Sequence, residues 1–262
     1  MSAGLEAPPA VTDFASTPPV PLSRLVRVEL RKIVDTRAGR WLLITIGLLT
    51  AAVVTILFFA GSRSDLTFDN FVSVSGLPQG FLLPVLGILA ITSEWSQRTG
   101  LVTFTLEPSR IRVVVAKFLA MVLLGLAAVA LAFALGAVAN VLAMALRDGS
   151  GSWHYQPGWV GEFAVLQVIG IVQGLAFGML LMSSAAAIVL YFVVPIVWTI
   201  LFNAISALNS AAPWVDIGTA SEPISDHTMT ATGWAHLGVT VLIWVGLPLA
   251  LGTVRLLRSE VK

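Results

Sequence analysis

The amino-acid sequence predicts an all-α protein that crosses a membrane six times, from its composition and from its apolar runs. Of the 262 residues, 57% are hydrophobic and only 11% are charged, and the mean hydropathy is +0.91. Soluble domains carry roughly 25% charged residues. The chain contains six apolar runs, and a helix needs roughly 20 apolar residues to span the hydrocarbon core. The length therefore leaves little room for a separate soluble catalytic domain.

The first 40 residues lie outside the apolar runs and divide into two segments. Residues 1–21 hold five of the 13 prolines among Ala, Ser and Thr, which predicts a disordered tail. From residue 22 to residue 40, apolar residues recur at three- and four-residue spacing between basic residues. This pattern predicts an amphipathic helix, which suits either an anchor at the membrane surface or a helix that docks on a partner protein.

Residues 41–262 are predicted to form a six-span transmembrane domain. The spans are expected at about 41–60, 77–92, 116–146, 163–183, 185–208 and 234–254. The third run would be roughly 46 Å long as one helix, so it should tilt or project from a ~30 Å hydrocarbon core. Only Met182-Ser183-Ser184 separates the fourth and fifth runs, so one broken helix is the competing interpretation there. Pro195 predicts a kink in the fifth span.

The positions of the basic residues predict the orientation. Thirteen of the 15 Lys and Arg residues lie before the first run, between the second and third runs, or after the sixth, which places them on one side of a six-span chain. Arg63 and Arg147 lie on the other side. By the positive-inside rule, both termini face the cytoplasm, as expected of a multi-pass protein of the plasma (inner) membrane. The formal net charge of +1 gives no reason to expect a nucleic-acid partner.

Several chemistries lack the residues that they need. No Asp, Glu, Lys or Arg lies inside the six runs except Lys117 at a boundary, which disfavours ion-coupled carriers and intramembrane enzymes. His154, His227 and His236 fall in or beside predicted external loops without a His-Glu-x-x-His pair, so we interpret them as interfacial polar residues and expect no metal site. None of the three lysines follows a glycine, as a phosphate-binding loop requires. The chain is therefore not expected to hydrolyse ATP itself.

Two patterns inside the runs predict helix contacts or a substrate path. Small residues recur every fourth position in the fourth and third runs, as Gly170, Gly174 and Gly178 and as Ala128, Ala132 and Gly136. Such stripes favour close helix packing, and a moving interface between helices or subunits is the alternative. The strong uncharged hydrogen-bonding residues of the later spans are Asn140, Gln167, Gln173 and Asn203. They either join helices to each other or line a substrate path.

The segment between the second and third runs resembles part of a known family. Its successive motifs are Ser93-Glu94-Trp95, Arg98-Thr99-Gly100, Leu106-Glu107-Pro108-Ser109-Arg110 and Ala116-Lys117. In this order they resemble the cytoplasmic loop between spans two and three of ABC-2 type ABC transporter permeases. The basic helix from Leu25 to Lys32 is similar to the connecting helix of that family, and residues 244–262 resemble its final span and tail. Many relatives carry a basic residue after span four, where this chain has Met182-Ser183-Ser184, so the resemblance does not extend to an ATPase contact at that turn.

The resemblance implies the membrane subunit of a type V ABC exporter. Two such subunits, identical or different, would lie side by side in membrane lipid, and a separate ATP-binding cassette ATPase would hold ATP and Mg²⁺. This chain would hold no cofactor, and the cargo would be a hydrophobic or amphipathic small molecule, lipid or peptide. The connecting helix and a coupling helix between spans two and three would contact the ATPase. The residues implied are Arg31, Lys32, Glu94, Trp95, Arg98, Thr99, Gly100, Glu107, Pro108, Ser109 and Arg110. The alternative is a membrane anchor or sensor that binds a cytoplasmic protein without transport.

Overall fold

The computed structural model describes residues 20–96, 109–154 and 156–258, without the side chains of Trp95, Ser96, Pro157, Asn203 and Ser206. Within these ranges the regular elements are helices, and none is a strand. Six helical segments are long and apolar enough to cross a membrane, which confirms the prediction of an all-α, multi-pass architecture. The tail before residue 20 and the predicted coupling helix lie outside the described residues.

The helices follow each other with short connections. The amphipathic segment and the first five spans are α1 Leu22–Asp35, α2 Arg37–Ala60, α3 Phe68–Ser96, α4 Arg110–Leu146, α5 Pro157–Leu181 and α6 Ser184–Ala204. A 3₁₀ turn, Ser206–Leu208, leads to the two short helices α7 Ala212–Val215 and α8 Ile217–Ser225, which we call the cap. The sixth span consists of α9 Ala231–Val241, a π-helical turn Leu242–Gly246 and α10 Leu247–Arg258.

Several helices extend beyond the apolar runs that predict them. α3 begins at Phe68 rather than near residue 77, because helical hydrogen bonding continues through polar residues that a hydropathy criterion rejects. The third run forms one unbroken helix of 37 residues, α4. The fourth and fifth runs form two helices rather than one broken helix. Met182 adopts a left-handed backbone conformation after α5, and the Ser183 side chain accepts a hydrogen bond from the backbone N–H of Ala186 at the start of α6.

The predicted amphipathic segment ends earlier than residue 40. α1 stops at Asp35, and the Thr36 hydroxyl caps α2 by accepting a hydrogen bond from the N–H of Gly39. A Cβ atom at Gly39 would lie 2.1 Å from the carbonyl oxygen of Ile33, so only glycine fits this corner. The corner turns the chain from α1 into the first span. α1 then packs mainly on α4, and its buried side chains include Val26 and Ile33.

α3 lies at the centre of the bundle and packs against α2, α4 and α5. Its closest neighbour is α5, through the glycine stripe. A Cβ atom at Gly174 would lie 2.0 Å from the carbonyl oxygen of Pro84, and one at Gly178 would lie 2.6 Å from a methyl group of Ile91. On the α3 side of the same contact, a Cβ atom at Gly87 would lie 2.1 Å from the carbonyl oxygen of Ile171 in α5. The two backbones therefore touch through glycines of both helices.

The second small-residue stripe, on α4, also faces α3. A Cβ atom at Gly136 would lie 2.9 Å from a methyl group of Val72, and Ala132 is fully buried. The side-chain amide of Gln79 in α3 donates a hydrogen bond of 3.0 Å to the carbonyl oxygen of Ala128. Both stripes thus pack inside the monomer, as the packing interpretation requires.

The bundle has two distinct ends because the spans alternate in direction. α1, the last turn of α3 and the first turn of α4 meet at one end, which we call the α1 end. The cap lies at the opposite end, the cap end, together with the connections at residues 61–67 and 147–154. The Asp216 carboxylate caps α8 by accepting hydrogen bonds from the N–H groups of Gly218 and Thr219. The Trp244 indole N–H donates to the carbonyl oxygen of Val215 at 2.6 Å, which fixes the cap to the sixth span.

Substituting Gly174 with alanine should lower stability by about 1–3 kcal/mol or more, because the added methyl group must displace the α3 backbone. Gly161→Ala is the matched control in the same helix, since a Cβ atom there meets no atom within 4 Å. It should be neutral or stabilising by up to ~1 kcal/mol. Thermal unfolding of the purified protein in detergent measures both. Equal melting temperatures for the two variants would contradict the close backbone contact.

Candidate functional site

Four charged side chains from three helices meet at the α1 end. Glu29 and Lys32 lie on α1, Glu94 lies near the end of α3, and Lys117 lies about two turns into α4. Lys117 is only 2% exposed, and both glutamates are buried. Charged groups at such positions are costly unless they are paired, so their arrangement determines whether the helices can meet here.

The four groups form a closed ring of alternating charge. Lys32 Nζ donates to Glu29 Oε1 and to Glu94 Oε1, each at 2.7 Å. Lys117 Nζ donates to Glu29 Oε2 and lies 3.0 Å from Glu94 Oε1. Each lysine therefore pairs with both glutamates, and the ring has no net charge. We call these four residues the charge ring.

The charge ring also satisfies the hydrogen-bonding capacity of its most buried member. Besides the two carboxylates, Lys117 Nζ donates to the carbonyl oxygen of Ala90 at 3.3 Å. An ammonium group has three N–H donors, so each has an acceptor. Because α1 supplies one acceptor and α3 supplies the other two, Lys117 connects α4 to both helices.

Lys32 is the least buried member and lies outside the membrane spans. Burial lowers the pKa of Lys32, but the Glu29 and Glu94 carboxylates outweigh burial and hold the pKa above its ordinary value. The stabilising contribution of a lysine with a raised pKa is fully present below the ordinary lysine pKa, and is lost only as the pH rises through the raised value. The charge of Lys32 is therefore maintained throughout the physiological pH range.

Two ring members, Glu29 and Lys117, are not predicted as site residues from the sequence. Glu29 lies between Val26 and Ile33 on the buried face of α1 and so interrupts an apolar stripe. The apolar pattern predicts Lys117 at a span boundary, where a lysine usually extends its head group to the interface. The structure places it inside α4, one helix position after the buried Ala116. A charged residue within an apolar face was the signal in both cases.

The residues expected to contact an ATPase occupy different environments. Lys32 and Glu94 belong to the charge ring, whereas Arg31 is exposed and lies 3.6 Å from Asp35 on the same helix. Arg110 donates hydrogen bonds to the carbonyl oxygens of Leu256 and Leu257 at the end of α10. Ser109 precedes α4. The side chain of Trp95, and Arg98, Thr99, Gly100, Glu107 and Pro108, lie outside the described residues.

Basic residues also cap two helix ends at the α1 end. Arg110 satisfies the last carbonyls of α10, and Arg255 of α10 donates to the carbonyl oxygen of Leu180 at the end of α5, at 2.6 Å. Cations at helix C-termini interact favourably with the helix dipole. The carboxyl end of α5 is thus capped by a basic residue of α10.

A cavity of about 430 Å³ lies towards the cap end, between α3, α5, α6 and the cap. Gln167, Gln173 and Tyr191 contribute amide and phenol groups to its wall, and Ser221 of α8 contributes a hydroxyl group. A second space with some of the same lining residues extends it towards the outer surface of the bundle. There the rings of Phe81 and Phe192 stack with their centroids 5.9 Å apart. The cavity is large enough for a small molecule.

The predicted path residues do not all line this cavity. Gln167 and Gln173 lie on its α5 wall. Asn140 is buried elsewhere in α4, and its side-chain amide donates to the carbonyl oxygen of Ser152 at 3.3 Å, so it joins α4 to the following connection. Asn203 lies in α6, and its side chain is not among those described. The structure thus brings together two of the four residues.

The comparisons with known proteins do not place the chain in a family. No family model matches the sequence, and no curated protein matches it either. Among the described residues, no group of three or more His, Asp or Glu side chains has the arrangement of a metal site.

Replacing Lys117 with methionine should destabilise the protein by about 3–5 kcal/mol, because two buried carboxylates would then share the single cation of Lys32. The double variant Glu29→Gln, Lys117→Met removes one charge of each sign and should lose less stability than the single variant. Denaturant unfolding in detergent measures the free energy of unfolding of both variants.

Arg63→Met is the control for loss of a cation, because the Arg63–Asp148 pair at 3.2 Å is exposed at the cap end. Its expected cost is below about 1 kcal/mol. If Lys117→Met cost no more than Arg63→Met, the charge ring would not hold the α1 end together.

Proposed function

We propose that the chain is the membrane subunit of an ATP-driven exporter of the ABC-2 type, powered by a separate ATP-binding cassette ATPase. ATP and Mg²⁺ would bind to that partner, and this chain would hold no cofactor and catalyse no covalent reaction. The observation that carries the proposal is the charge ring. It joins α1 and the ends of α3 and α4, the elements that the resemblance assigns to ATPase contact.

The charge ring supports a role in coupling because it makes three helices move together. A partner that pushes on α1, or on the segment between α3 and α4, would displace Lys117 and Glu94 with it, since separating them would leave charges buried without partners. α3 then transmits the displacement to α5 through the glycine contact at Gly174. That contact leaves little room for independent sliding, because packed backbones deform poorly.

The position of the cavity supports transport rather than anchoring alone. α3 and α5 form part of its wall, so a displacement that begins at the charge ring reaches it directly. Among the described lining residues, aliphatic side chains and glycines are the most numerous, amides, hydroxyls and aromatic rings make up the rest, and carboxylates and lysines do not contribute. This lining fits an uncharged or weakly charged amphipathic molecule with a few hydrogen-bonding groups. A hydrophobic or amphipathic small molecule, lipid or peptide segment has this chemistry.

The orientation and the second subunit are also part of the proposal. By the positive-inside rule, the excess of Lys and Arg at the α1 end supports an orientation in which that end and both termini face the cytoplasm, with the chain in the plasma (inner) membrane. The outward face of α6 exposes apolar side chains such as Val189, Ile196 and Ile200, which membrane lipid or a second permease subunit would cover. The second permease subunit would be either an identical or a related chain.

Affinity purification of the tagged chain from native membranes should recover an ATP-binding cassette ATPase. Arg31→Glu should then weaken this association at least tenfold. Arg31 is exposed on the outer side of α1, and a glutamate in its place would repel the acidic groups of the ATPase that the arginine attracts. Substrate-stimulated ATP hydrolysis by the purified complex should fall in parallel.

Arg63→Glu is the matched control, an equally exposed arginine at the cap end. It should leave ATPase association unchanged. Correct insertion of each variant is checked with Ser23→Cys on α1 and an impermeant maleimide, since the native chain has no cysteine. Protection of Ser23→Cys in intact cells is expected. Recovery of a partner of another class, with no ATPase, would contradict the exporter proposal and favour the membrane anchor or sensor.

A further inference from the structure

A histidine at the cap end lies between two carboxylates from different spans. His227 follows α8, and its Nε2 lies 3.6 Å from Asp69 Oδ1 in the first turn of α3. Its Nδ1 lies 3.8 Å from Glu162 Oε2 in α5. The imidazole also stacks on the indole of Trp159, with the ring centroids 3.8 Å apart. His227 and Trp159 both line the cavity, so this group stands at the edge of the cavity.

Three polar atoms of this group are buried. Asp69 Oδ1, Glu162 Oε2 and His227 Nδ1 have no hydrogen-bond partner among the described residues. A neutral imidazole has one N–H and one lone pair, so it can serve one carboxylate while it presents a lone pair to the other. An imidazolium donates from both nitrogens. The arrangement is therefore complementary to the protonated ring, and a small closing movement would form two charge-assisted hydrogen bonds.

The same geometry argues against a shared metal ion. The two nitrogens of an imidazole point away from each other, and each carboxylate faces a different nitrogen. One ion at either nitrogen would reach only one of the carboxylates. A proton on the ring satisfies both at once.

The backbone holds the imidazole in this position. α8 ends in a Schellman motif, in which the N–H of Thr228 donates to the carbonyl oxygen of Pro223 and the N–H of His227 donates to that of Ile224. His227 occupies the left-handed position with φ 55, where glycine is the usual residue. Together with the Trp159 stacking, the motif fixes the ring relative to the cap. A group that binds the imidazole therefore also holds the cap in place.

The other charged and titratable groups near this position do not compete for the ring. Glu222 and Asp226 lie on the same segment as His227, and Arg63 pairs with Asp148 in the neighbouring connections. His154 lies against the edge of the Trp159 ring at 6.2 Å between centroids. Among the described residues, only the carboxylates of Asp69 and Glu162 lie within ion-pairing distance of His227.

We propose that Asp69, Glu162 and His227 form a proton-binding latch. When the imidazole of His227 binds a proton, it bridges the carboxylates of α3 and α5 and holds the cap over the cavity. Loss of the proton leaves one carboxylate facing a lone pair and releases the cap. The latch does not depend on the proposed function, and the orientation proposed above only determines which compartment supplies the proton. Histidine suits this role because it changes charge between about pH 5 and pH 8.

The latch predicts pH-dependent access to the cavity. Ser221 of α8 lines the cavity, and Ser221→Cys introduces the sole thiol of the chain. Its labelling rate by a small methanethiosulfonate is measured in nanodiscs at about pH 5.5 and about pH 8. The same measurement with His227→Asn is the control, because asparagine tolerates the left-handed conformation but does not titrate. At each pH, the labelling rate with His227 is divided by the labelling rate with His227→Asn. This ratio cancels the pH dependence of the thiol itself.

The rate with His227 should be at least roughly fivefold lower than with His227→Asn at the acidic pH, and the two rates should converge at the alkaline pH. Asp69→Asn combined with Glu162→Gln should abolish the difference while His227 is retained. The proposal would be overturned if the ratio of the labelling rates with His227 and with His227→Asn were the same at both pH values. Protection that disappears when EDTA is added would also overturn it, because a metal ion rather than a proton would then bridge the group.

Discussion

The architecture of the α1 end depends on the closed ring of two lysines and two glutamates. Each of these charges is costly to bury alone, and the cost is offset only when all four are present and paired. The ring therefore fixes the position of α1 on the bundle and the register of α4 relative to α3. Apolar packing by Val26 and Ile33 stabilises the same contact but does not select one register, since apolar surfaces of similar shape are interchangeable. The charges provide that selection.

The rest of the bundle is built outward from α3. At the α1 end, α3 supplies Glu94 and the carbonyl of Ala90 to the ring, and along its length it receives the glycine stripe of α5. The two interactions restrain the helix in different ways. The ring resists separation because buried charges would lose their partners, whereas the glycine contact resists sliding because the two backbones touch. A helix restrained in both ways is suited to carry displacement from one end of the molecule to the cavity near the other.

The sequence predicts the spans well because hydropathy over about 20 residues is a property of each segment alone. It also predicts the glycine stripe, since the four-residue spacing of Gly170, Gly174 and Gly178 places them on one helix face. It predicts neither the partner of that face nor the charge ring. Glu29 and Lys117 are 88 residues apart in the chain, and their pairing depends on how α1 folds back onto α4.

The cap end was harder to predict for the same reason. Gln167 and Gln173 were recognisable as polar residues within an apolar run, but their common cavity forms only because α8 folds back over α5 and α6. The sequence predicts His227 only as an interfacial polar residue, because its carboxylate neighbours come from two distant segments of the chain. Asp69 lies eight residues before the predicted second run and Glu162 lies one residue before the fourth, yet both lie inside the observed helices, so the errors in the predicted boundaries concealed them.

Hydrogen exchange of α1, followed by mass spectrometry in nanodiscs, tests most directly whether the charge ring holds this helix to the spans. In Lys117→Met, the amides of residues 22–35 should exchange at least tenfold faster than in the native protein, because α1 opens locally once its buried glutamate must share the single cation of Lys32 with Glu94. The amides of α5 around Gly174 should keep their native protection. Unchanged exchange of α1 in this variant would contradict the account, since the apolar contacts alone would then hold the helix.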